Sequence, residues 1–312
     1  MTKSFYKIII VICLAAVFLC SSCVNGERLR KEGSHEIKLG FTTQNFLEVS
    51  DVSLESSLKF VNYACENDYD WIELRDPDVC LSETECAEIA RYARSKNIEM
   101  VYSSQRGLLD SDFIDVFELQ AKRAALFSGP GFCRALAANR EYSSCSAKMG
   151  WTEEEFHEAI NRVHKASDIA ARYGLTLVVE NSNGDIDGRG KPYYGFAEIL
   201  EQSGENVLWQ FDTANFFTNS QIDITPEQVK KLLDEFGYKL SYVHLKSARN
   251  GTSQQTLTCN PLPFNFVFSR LAENDCEYVA IELASGGSEE DVYRNLSESM
   301  RYLEKSGFVN KE

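Results

Sequence analysis

Short apolar runs recur along the chain from Ile37 onward, and a longer segment with helical periodicity follows each of them. These runs predict eight β-strands, at Ile37–Phe41, Asp70–Leu74, Ile98–Ser103, Phe132–Ala137, Leu175–Glu180, Val207–Asp212, Leu240–His244 and Tyr278–Glu282. The strands recur roughly every 30 to 45 residues, the spacing that a strand, a crossover helix and two loops require. The pattern therefore predicts parallel strands joined by helices.

The segments between the strands carry the start and stop signals of helices. Thr152–Tyr173 opens with Thr-Glu-Glu-Glu, a capping box with acidic residues at the positive end of the helix, and Gly174 follows as a stop. Further helices are predicted at Glu83–Lys96, Pro226–Phe236 and Ser288–Ser306. Eight βα units in one direction predict an α/β fold, a (β/α)8 TIM barrel that forms a single domain over residues 37–312.

The longest irregular stretches all follow predicted strands rather than precede them. They are Gln105–Asp110, Ala138–Gly150, Asn181–Tyr194 and Ser247–Asn265. In a barrel of this kind the segments after the strands form the face on which active sites are built. We therefore expect the chemistry at the carboxyl ends of the strands.

Residues 1–23 have the pattern of a signal peptide. Two lysines precede an apolar run from Ile8 to Leu19, which is shorter than the about 20 apolar residues that span a bilayer. The following Cys-Ser-Ser-Cys resembles the end of a bacterial lipobox in which Cys23 is acylated, although Cys20 stands where leucine is usual. Residues 24–36 are polar and predict a tether. We expect an exported lipoprotein of the periplasm or outer membrane that meets the membrane through its lipid anchor, with plain secretion as the alternative.

The charge of the chain bears on whether it binds nucleic acid. The net charge is −15 and no run rich in lysine and arginine is longer than Arg28–Lys31. Binding to a phosphate backbone needs a concentrated basic surface, so nucleic acid is not an expected partner.

Beyond the leader the cysteines lack paired CxxC spacing, which argues against a cysteine zinc site. They are either buried thiols or, in an oxidising compartment, the pairs Cys80 with Cys86 and Cys133 with Cys145.

Four successive strands end in a side chain that can bind a metal. They are the strands of LTLVVEN, NVLWQFDTAN, LSYVHLKSA and EYVAIEL, and the side chains are Glu180, Asp212, His244 and Glu282. For one carboxylate a helix cap or a surface charge would be the simpler interpretation, but an unpaired charge beside a buried strand is costly. Three carboxylates and one imidazole in register predict a site for one divalent ion, Mn²⁺, Mg²⁺, Co²⁺ or Zn²⁺.

At these residues the sequence resembles the xylose isomerase-like TIM barrels, the sugar phosphate isomerase/epimerase superfamily. The match follows the strand order over nearly the whole chain beyond the leader, and its specific part is VVEN, FDTAN, VHLKS and IEL. The resemblance implies that Glu180, Asp212, His244 and Glu282 bind one divalent metal. It also implies that Glu180 and Glu282 are the acid/base pair that flanks the sugar carbon losing and regaining a proton, through an enediolate.

Other candidate residues come from comparison with the same motif. Lys246 resembles an HxK variant and is a candidate catalytic residue that binds a substrate oxygen or stabilises an enolate; a solvated loop lysine paired with a carboxylate is the alternative. Asn215 stands where many epimerases carry a second histidine, and its amide can bind a sugar hydroxyl but cannot shuttle protons. Phe216 offers an aromatic surface to a sugar.

Arg75, at the end of the second predicted strand, is the remaining candidate for substrate binding. Its guanidinium is suited to an anion. An ion pair with Asp76 or Asp78 is the alternative that the sequence leaves open.

The resemblance implies a metal-dependent sugar isomerase or epimerase acting on a carbohydrate or keto-sugar. A keto-glycoside or keto-inositol lyase or dehydratase uses the same enolising step and is the enzymatic alternative, favoured by the export signal. A non-catalytic carbohydrate-binding lipoprotein is the alternative outside enzymes. The substrate and the oligomeric state remain open, and a homo-oligomer is compatible with the sequence.

Overall fold

The computed structural model describes residues 37–137, 150–182, 186, 188, 194–218, 224–258 and 260–309. The predicted signal peptide with Cys23 and the predicted tether lie outside the described residues. Within these ranges, no helix has both the length and the apolar character that a membrane span requires.

Eight parallel strands form one sheet that curls into a nearly closed barrel. The strands are β1 (Lys38–Thr42), β2 (Trp71–Arg75), β3 (Glu99–Ser103), β4 (Phe132–Leu136), β5 (Thr176–Glu180), β6 (Leu208–Asp212), β7 (Leu240–Leu245) and β8 (Tyr278–Ile281). Their order is β3-β2-β1-β8-β7-β6-β5-β4, with every neighbouring pair parallel. A parallel bridge between Gly107 and Leu136 links the segment after β3 to β4. The predicted (β/α)8 barrel is confirmed.

One α-helix follows each strand except β6, which is followed by two. They are α1 (Leu54–Glu66), α2 (Glu83–Ser95), α3 (Phe113–Ala124), α4 (Glu153–Arg172), α5 (Phe196–Gln202), α6 (Asn215–Thr218), α7 (Pro226–Phe236), α8 (Phe264–Glu273) and α9 (Glu289–Lys305). Thr152 caps α4 in the predicted capping box, and Gly174 follows the helix with a φ of 71°. A left-handed φ of this kind carries a steric cost for residues with a Cβ, so glycine suits the stop.

Alternation along the strands decides which side chains fill the barrel interior. Inside the barrel, one cluster of buried apolar side chains includes Trp71, Val101, Val178, Tyr242 and Ala280. The Trp71 indole lies over Gly40, where a Cβ would meet the Trp71 carbonyl oxygen at 2.5 Å. Two residues further along each strand the same interior face carries polar and charged groups. This change of character places a polar layer toward the carboxyl ends of the strands.

The cysteines that the structure describes are all free thiols. Cys80 is exposed and Cys86 is buried, so the candidate Cys80–Cys86 disulfide is not formed. Cys133 is a buried free thiol, and its candidate partner Cys145 lies outside the described residues.

Candidate metal centre

The four predicted metal ligands meet at the carboxyl ends of β5 to β8. Glu180 and Asp212 are the last residues of β5 and β6, His244 lies in β7, and Glu282 directly follows β8. One donor atom from each side chain lies within 4.8 Å of the others, and all four side chains are buried. Two oxygen ligands on opposite sides of one ion lie about 4.4 Å apart, twice a typical metal–oxygen distance. The spacing therefore fits one ion after small side-chain movements.

Two donor atoms of this group form no well-directed hydrogen bond with the described residues, although each has a charged side chain within 4 Å. They are Asp212 Oδ2 and His244 Nδ1, which lie 4.0 Å apart. The other Asp212 oxygen, Oδ1, accepts hydrogen bonds from the backbone N–H groups of Ala214 and Asn215, both at 2.8 Å. A buried polar atom without a partner is unfavourable. A divalent cation bound by both atoms would remove this cost, so the donor set fits a metal.

The backbone around Asp212 fixes its position on β6. Asn181 Oδ1 accepts a hydrogen bond from the Asp212 backbone N–H at 2.9 Å and another from the Trp209 indole at 3.1 Å. The Asn181 amide donates to the Asp212 carbonyl oxygen at 2.9 Å. The asparagine of the VVEN motif therefore braces strand β6 rather than entering the donor set.

His244 uses its two ring nitrogens differently. Nδ1 faces the carboxylates and lies 2.9 Å from Glu282 Oε2 and 3.8 Å from Glu180 Oε1. Nε2 points the other way and lies 2.8 Å from Glu73 Oε2 on strand β2. Burial alone would lower the pKa of His244, but the neighbouring Glu73 and Glu282 carboxylates outweigh it and raise the pKa to about 10. Metal binding at Nδ1 requires that nitrogen to be unprotonated.

Two arginines and one lysine surround the carboxylates. Arg75 Nη2 lies 3.5 Å from Glu282 Oε2 and 3.7 Å from Glu180 Oε2. Arg134 on strand β4 donates to Glu180 and to the Ser104 carbonyl oxygen. Lys246 Nζ lies 2.6 Å from Glu282 Oε1. These cations reduce the repulsion between carboxylates that are buried together.

The carboxylates differ in how strongly they hold protons. Burial raises the pKa of Glu180 to about 7 and that of Asp212 to about 6, against the opposing effects of nearby cations. Burial acts in the same direction on Glu282, but Lys246 and His244 outweigh it and hold the pKa of that carboxyl well below its usual range. In the metal-free site the two glutamates therefore differ in basicity.

The other sequence candidates occupy different places. Lys246 is paired with the Glu282 carboxylate, as the alternative interpretation has it, but it is mostly buried rather than solvated, and its catalytic role stays a prediction. The Asn215 amide lies 3.3 Å from Glu180 Oε1, within the site. Arg75 pairs with Glu73, Glu180 and Glu282 rather than with Asp76 or Asp78. Phe216 is buried against Phe196, in the hydrophobic core, and its contact with a sugar stays a prediction.

The sequence interpretation missed Glu73 and Arg134. Both side chains are fully buried inside the barrel. A signal was present, because each is an ionisable residue in the middle of a predicted strand at a position that alternation turns inward. Apart from Arg75, which lies two residues after Glu73 on β2, their partners lie on or next to other strands and could not be inferred from spacing.

A family model for the xylose isomerase-like TIM barrel matches residues 61–305 of this chain. The chain belongs to this family. A comparison with curated protein sequences finds no significant match.

Solved structures share the fold of this family member at low sequence identity. A D-allulose 3-epimerase from Methylomonas sp. has a TM-score of 0.64 at 13% identity, covering 87% of this chain and 98% of its own. A sugar phosphate isomerase/epimerase from Parabacteroides distasonis has a TM-score of 0.64 at 12% identity, covering 91% and 99%. A xylose isomerase-like TIM barrel protein from Mycobacterium smegmatis, in complex with magnesium, has a TM-score of 0.62 at 14% identity, covering 87% and 98%. At such identities the likeness shows a shared fold.

Proposed function

We propose that this protein is a divalent-metal-dependent isomerase or epimerase that moves a proton on a carbohydrate or keto-sugar. The observation that carries the proposal is the buried group of Glu180, Asp212, His244 and Glu282, whose donor atoms converge at the carboxyl end of the barrel. Fold relatives that are sugar epimerases and isomerases support it. Mn²⁺, Mg²⁺, Co²⁺ and Zn²⁺ remain the candidate ions, and the magnesium-bound relative supports this class.

Proton transfer requires a base and an acid on either side of the reacting carbon. Glu180 and Glu282 are the acid/base pair of this proposal, and in the metal-free site burial gives Glu180 the higher pKa, about 7. One glutamate removes the proton from the carbon next to the carbonyl, and the electron pair moves onto the carbonyl oxygen as an enediolate. Proton return to the other face gives the epimer, and return to the neighbouring carbon gives the isomer.

The remaining residues stabilise charge and orient the substrate in this proposal. A bound divalent ion would act as a Lewis acid toward the substrate carbonyl. Lys246 and Arg75 supply positive charge close to Glu282, where the enediolate would carry its negative charge. The Asn215 amide, 3.3 Å from Glu180, is positioned to bind a hydroxyl beside the base.

Hydrogen exchange with solvent tests the proposal without knowledge of the product. Candidate ketoses are incubated in D₂O with the metal-loaded protein, and loss of the C–H signal next to the carbonyl is followed by NMR. We expect exchange with wild-type protein and a loss of about 10²- to 10⁴-fold in Glu180→Gln, which keeps the shape but lacks the base. Sugar binding without exchange across a broad panel would instead indicate the carbohydrate-binding alternative, and loss of a β-substituent would indicate the lyase.

We further propose that the protein is exported and anchored through Cys23. The support is the sequence pattern of residues 1–23 together with the polar stretch that follows. Metabolic labelling with a palmitate analogue should label the wild-type protein and leave Cys23→Ser unlabelled. A soluble, unlabelled wild-type protein would contradict the anchor and leave plain secretion.

A further inference from the structure

Glu73 lies in the barrel interior beside the candidate metal centre and has no part in the proton transfer proposed above. Its side chain is completely buried on strand β2. Its carboxylate is held by five side chains from four strands: His244 Nε2 at 2.8 Å, Ser103 Oγ at 3.0 Å, Tyr242 OH at 3.0 Å, Arg75 Nε at 3.1 Å and Arg134 Nε at 3.2 Å.

The neighbours of Glu73 fix the direction of its hydrogen bond to His244. The two arginines can only donate, and the hydroxyl groups of Ser103 and Tyr242 both donate to Oε1. An ionised carboxylate can only accept, so Nε2 of His244 must carry the proton in the contact with Oε2. A histidine that donates from Nε2 presents Nδ1 as its ligand atom when it is neutral.

The same contact fixes the direction in which Nδ1 points. Glu73 and Glu282 lie on opposite edges of the imidazole, 2.8 Å from Nε2 and 2.9 Å from Nδ1. Rotation of the ring by half a turn would remove Nδ1 from the donor set and break the contact with Glu73. Since Glu73 cannot move without releasing the four other side chains, its carboxylate is a rigid anchor for the ring.

We propose that Glu73 is a positioning residue for the metal centre, which acts through His244 by holding the Nε2–H tautomer and aiming Nδ1 at Glu180, Asp212 and Glu282. This inference rests on the metal part of the proposed function. Outer partners of metal-binding histidines typically change metal affinity by 10- to 100-fold when they are removed.

The first measurement is Mn²⁺ affinity by isothermal titration calorimetry of the full chain. Glu73→Ala is expected to bind Mn²⁺ about 10- to 100-fold more weakly than the wild type. Glu73→Gln keeps an oxygen acceptor and is expected to lie closer to the wild type than to Glu73→Ala. The matched control is Glu99→Ala, which removes a carboxylate from the first residue of β3, where it pairs with Lys38 and Tyr278. This control is expected to leave Mn²⁺ affinity unchanged.

The second measurement reads the tautomer directly and needs no folded Glu73 variant. Long-range ¹H–¹⁵N NMR of the Zn²⁺-loaded wild type should show His244 protonated on Nε2 and metal-bound through Nδ1, with the signals assigned by their loss in His244→Asn. The chain has four histidines, so the spectrum is simple. Protonation on Nδ1 would overturn the proposal. A folded Glu73→Ala variant whose Mn²⁺ affinity lies within twofold of the wild type would also overturn it. Equal losses of Mn²⁺ affinity in Glu73→Ala and Glu73→Gln would do the same.

The two proposals fail in different ways. The wild type could show the expected tautomer and Mn²⁺ affinity and still exchange no sugar hydrogen with solvent. That result would contradict only the proposal of an isomerase or epimerase. Exchange that persists in Glu73→Ala at unchanged Mn²⁺ affinity would contradict the role of Glu73 alone.

Discussion

At the scale of single residues, the barrel interior is a set of ionisable groups that shift one another's proton affinity. Glu73 and Glu180 illustrate the contrast. Both are buried carboxylates, but the charges of Arg75 and His244 overcome the effect of burial at Glu73 and lower its pKa to about 2. At Glu180 burial prevails and raises the pKa to about 7. The number and closeness of cations, rather than burial alone, therefore decide which carboxylate is basic.

These shifts predict how the stability of the metal-free protein depends on pH. The pKa of Glu180 rises from 4.5 to about 7 on folding and that of Asp212 from 3.8 to about 6. At a pH between the unfolded and the folded pKa of each group, the native state binds more protons than the unfolded state. These two groups therefore make the protein less stable as the pH rises from about 4 to about 7.

Chelator-treated wild type and Glu180→Gln should be compared by urea unfolding across this range. As the pH rises, we expect the free energy of unfolding to fall less in Glu180→Gln than in the wild type, because the amide does not ionise. A difference between the two proteins that does not change with pH would contradict the raised pKa of Glu180.

Lys246 allows a second prediction at this scale. Its ammonium lies 2.6 Å from Glu282 Oε1 and 3.7 Å from Asp212 Oδ2, where it can stabilise an enediolate. Lys246→Met should lower kcat by about 10²- to 10³-fold, with a smaller change in KM. Lys246→Arg should recover part of the loss, and Lys239→Met, a buried lysine that precedes β7, should leave kcat unchanged. A change in KM alone would indicate a binding role for Lys246.

At the scale of elements, local sequence signals set most boundaries. Strands β5 and β6 begin one residue later than predicted and end at the predicted carboxylates. The capping residues Thr152, Thr225 and Ser288 each open a helix with a capping box. Such signals act within a few residues of the chain, which is why they can be identified without knowledge of the fold.

The cap of α4 provides a prediction for an element. Thr152 Oγ1 accepts a hydrogen bond from the Glu155 backbone N–H, and Glu155 Oε2 accepts one from the Thr152 backbone N–H. Thr152→Ala should lower the free energy of unfolding by about 1 kcal/mol, while Thr152→Ser should be close to the wild type. Urea unfolding measures both, and equal losses in the two variants would contradict a capping role for the hydroxyl.

At the scale of the whole molecule, the donor set joins strands that are far apart in the chain. Glu180 and Glu282 are separated by 102 positions (282 − 180), and a shared ion would connect β5 to β8. Binding to the native state alone stabilises a protein by about 2.7 kcal/mol when the free ligand is at 100 times its Kd.

Thermal unfolding tests this linkage. Mn²⁺ added to chelator-treated wild type should raise Tm by several degrees, in proportion to the logarithm of its concentration. His244→Ala should show little or no rise, because it lacks the only imidazole of the donor set. An equal rise in both proteins would indicate that Mn²⁺ binds elsewhere.

Local patterns in the sequence were enough to predict the strands, the helices and the carboxylates at the strand ends. Hydrophobic alternation, helix caps and the order of βα units are local properties, and the direction of the strands places their carboxyl ends on one face. From this alone Glu180, Asp212, His244 and Glu282 could be assigned to one site.

The groups that surround that site could be identified only once the strands were arranged in the barrel. Glu73 contacts His244 across the barrel, and Arg134 contacts Glu180 from the neighbouring strand. The packing of Phe216 against Phe196 could not be inferred from the sequence either, and the contact of Phe216 with a sugar stays a prediction. These outcomes depend on barrel closure and on side-chain directions inside it, because a contact between residues 171 positions apart is set by the fold rather than by the chain around either residue.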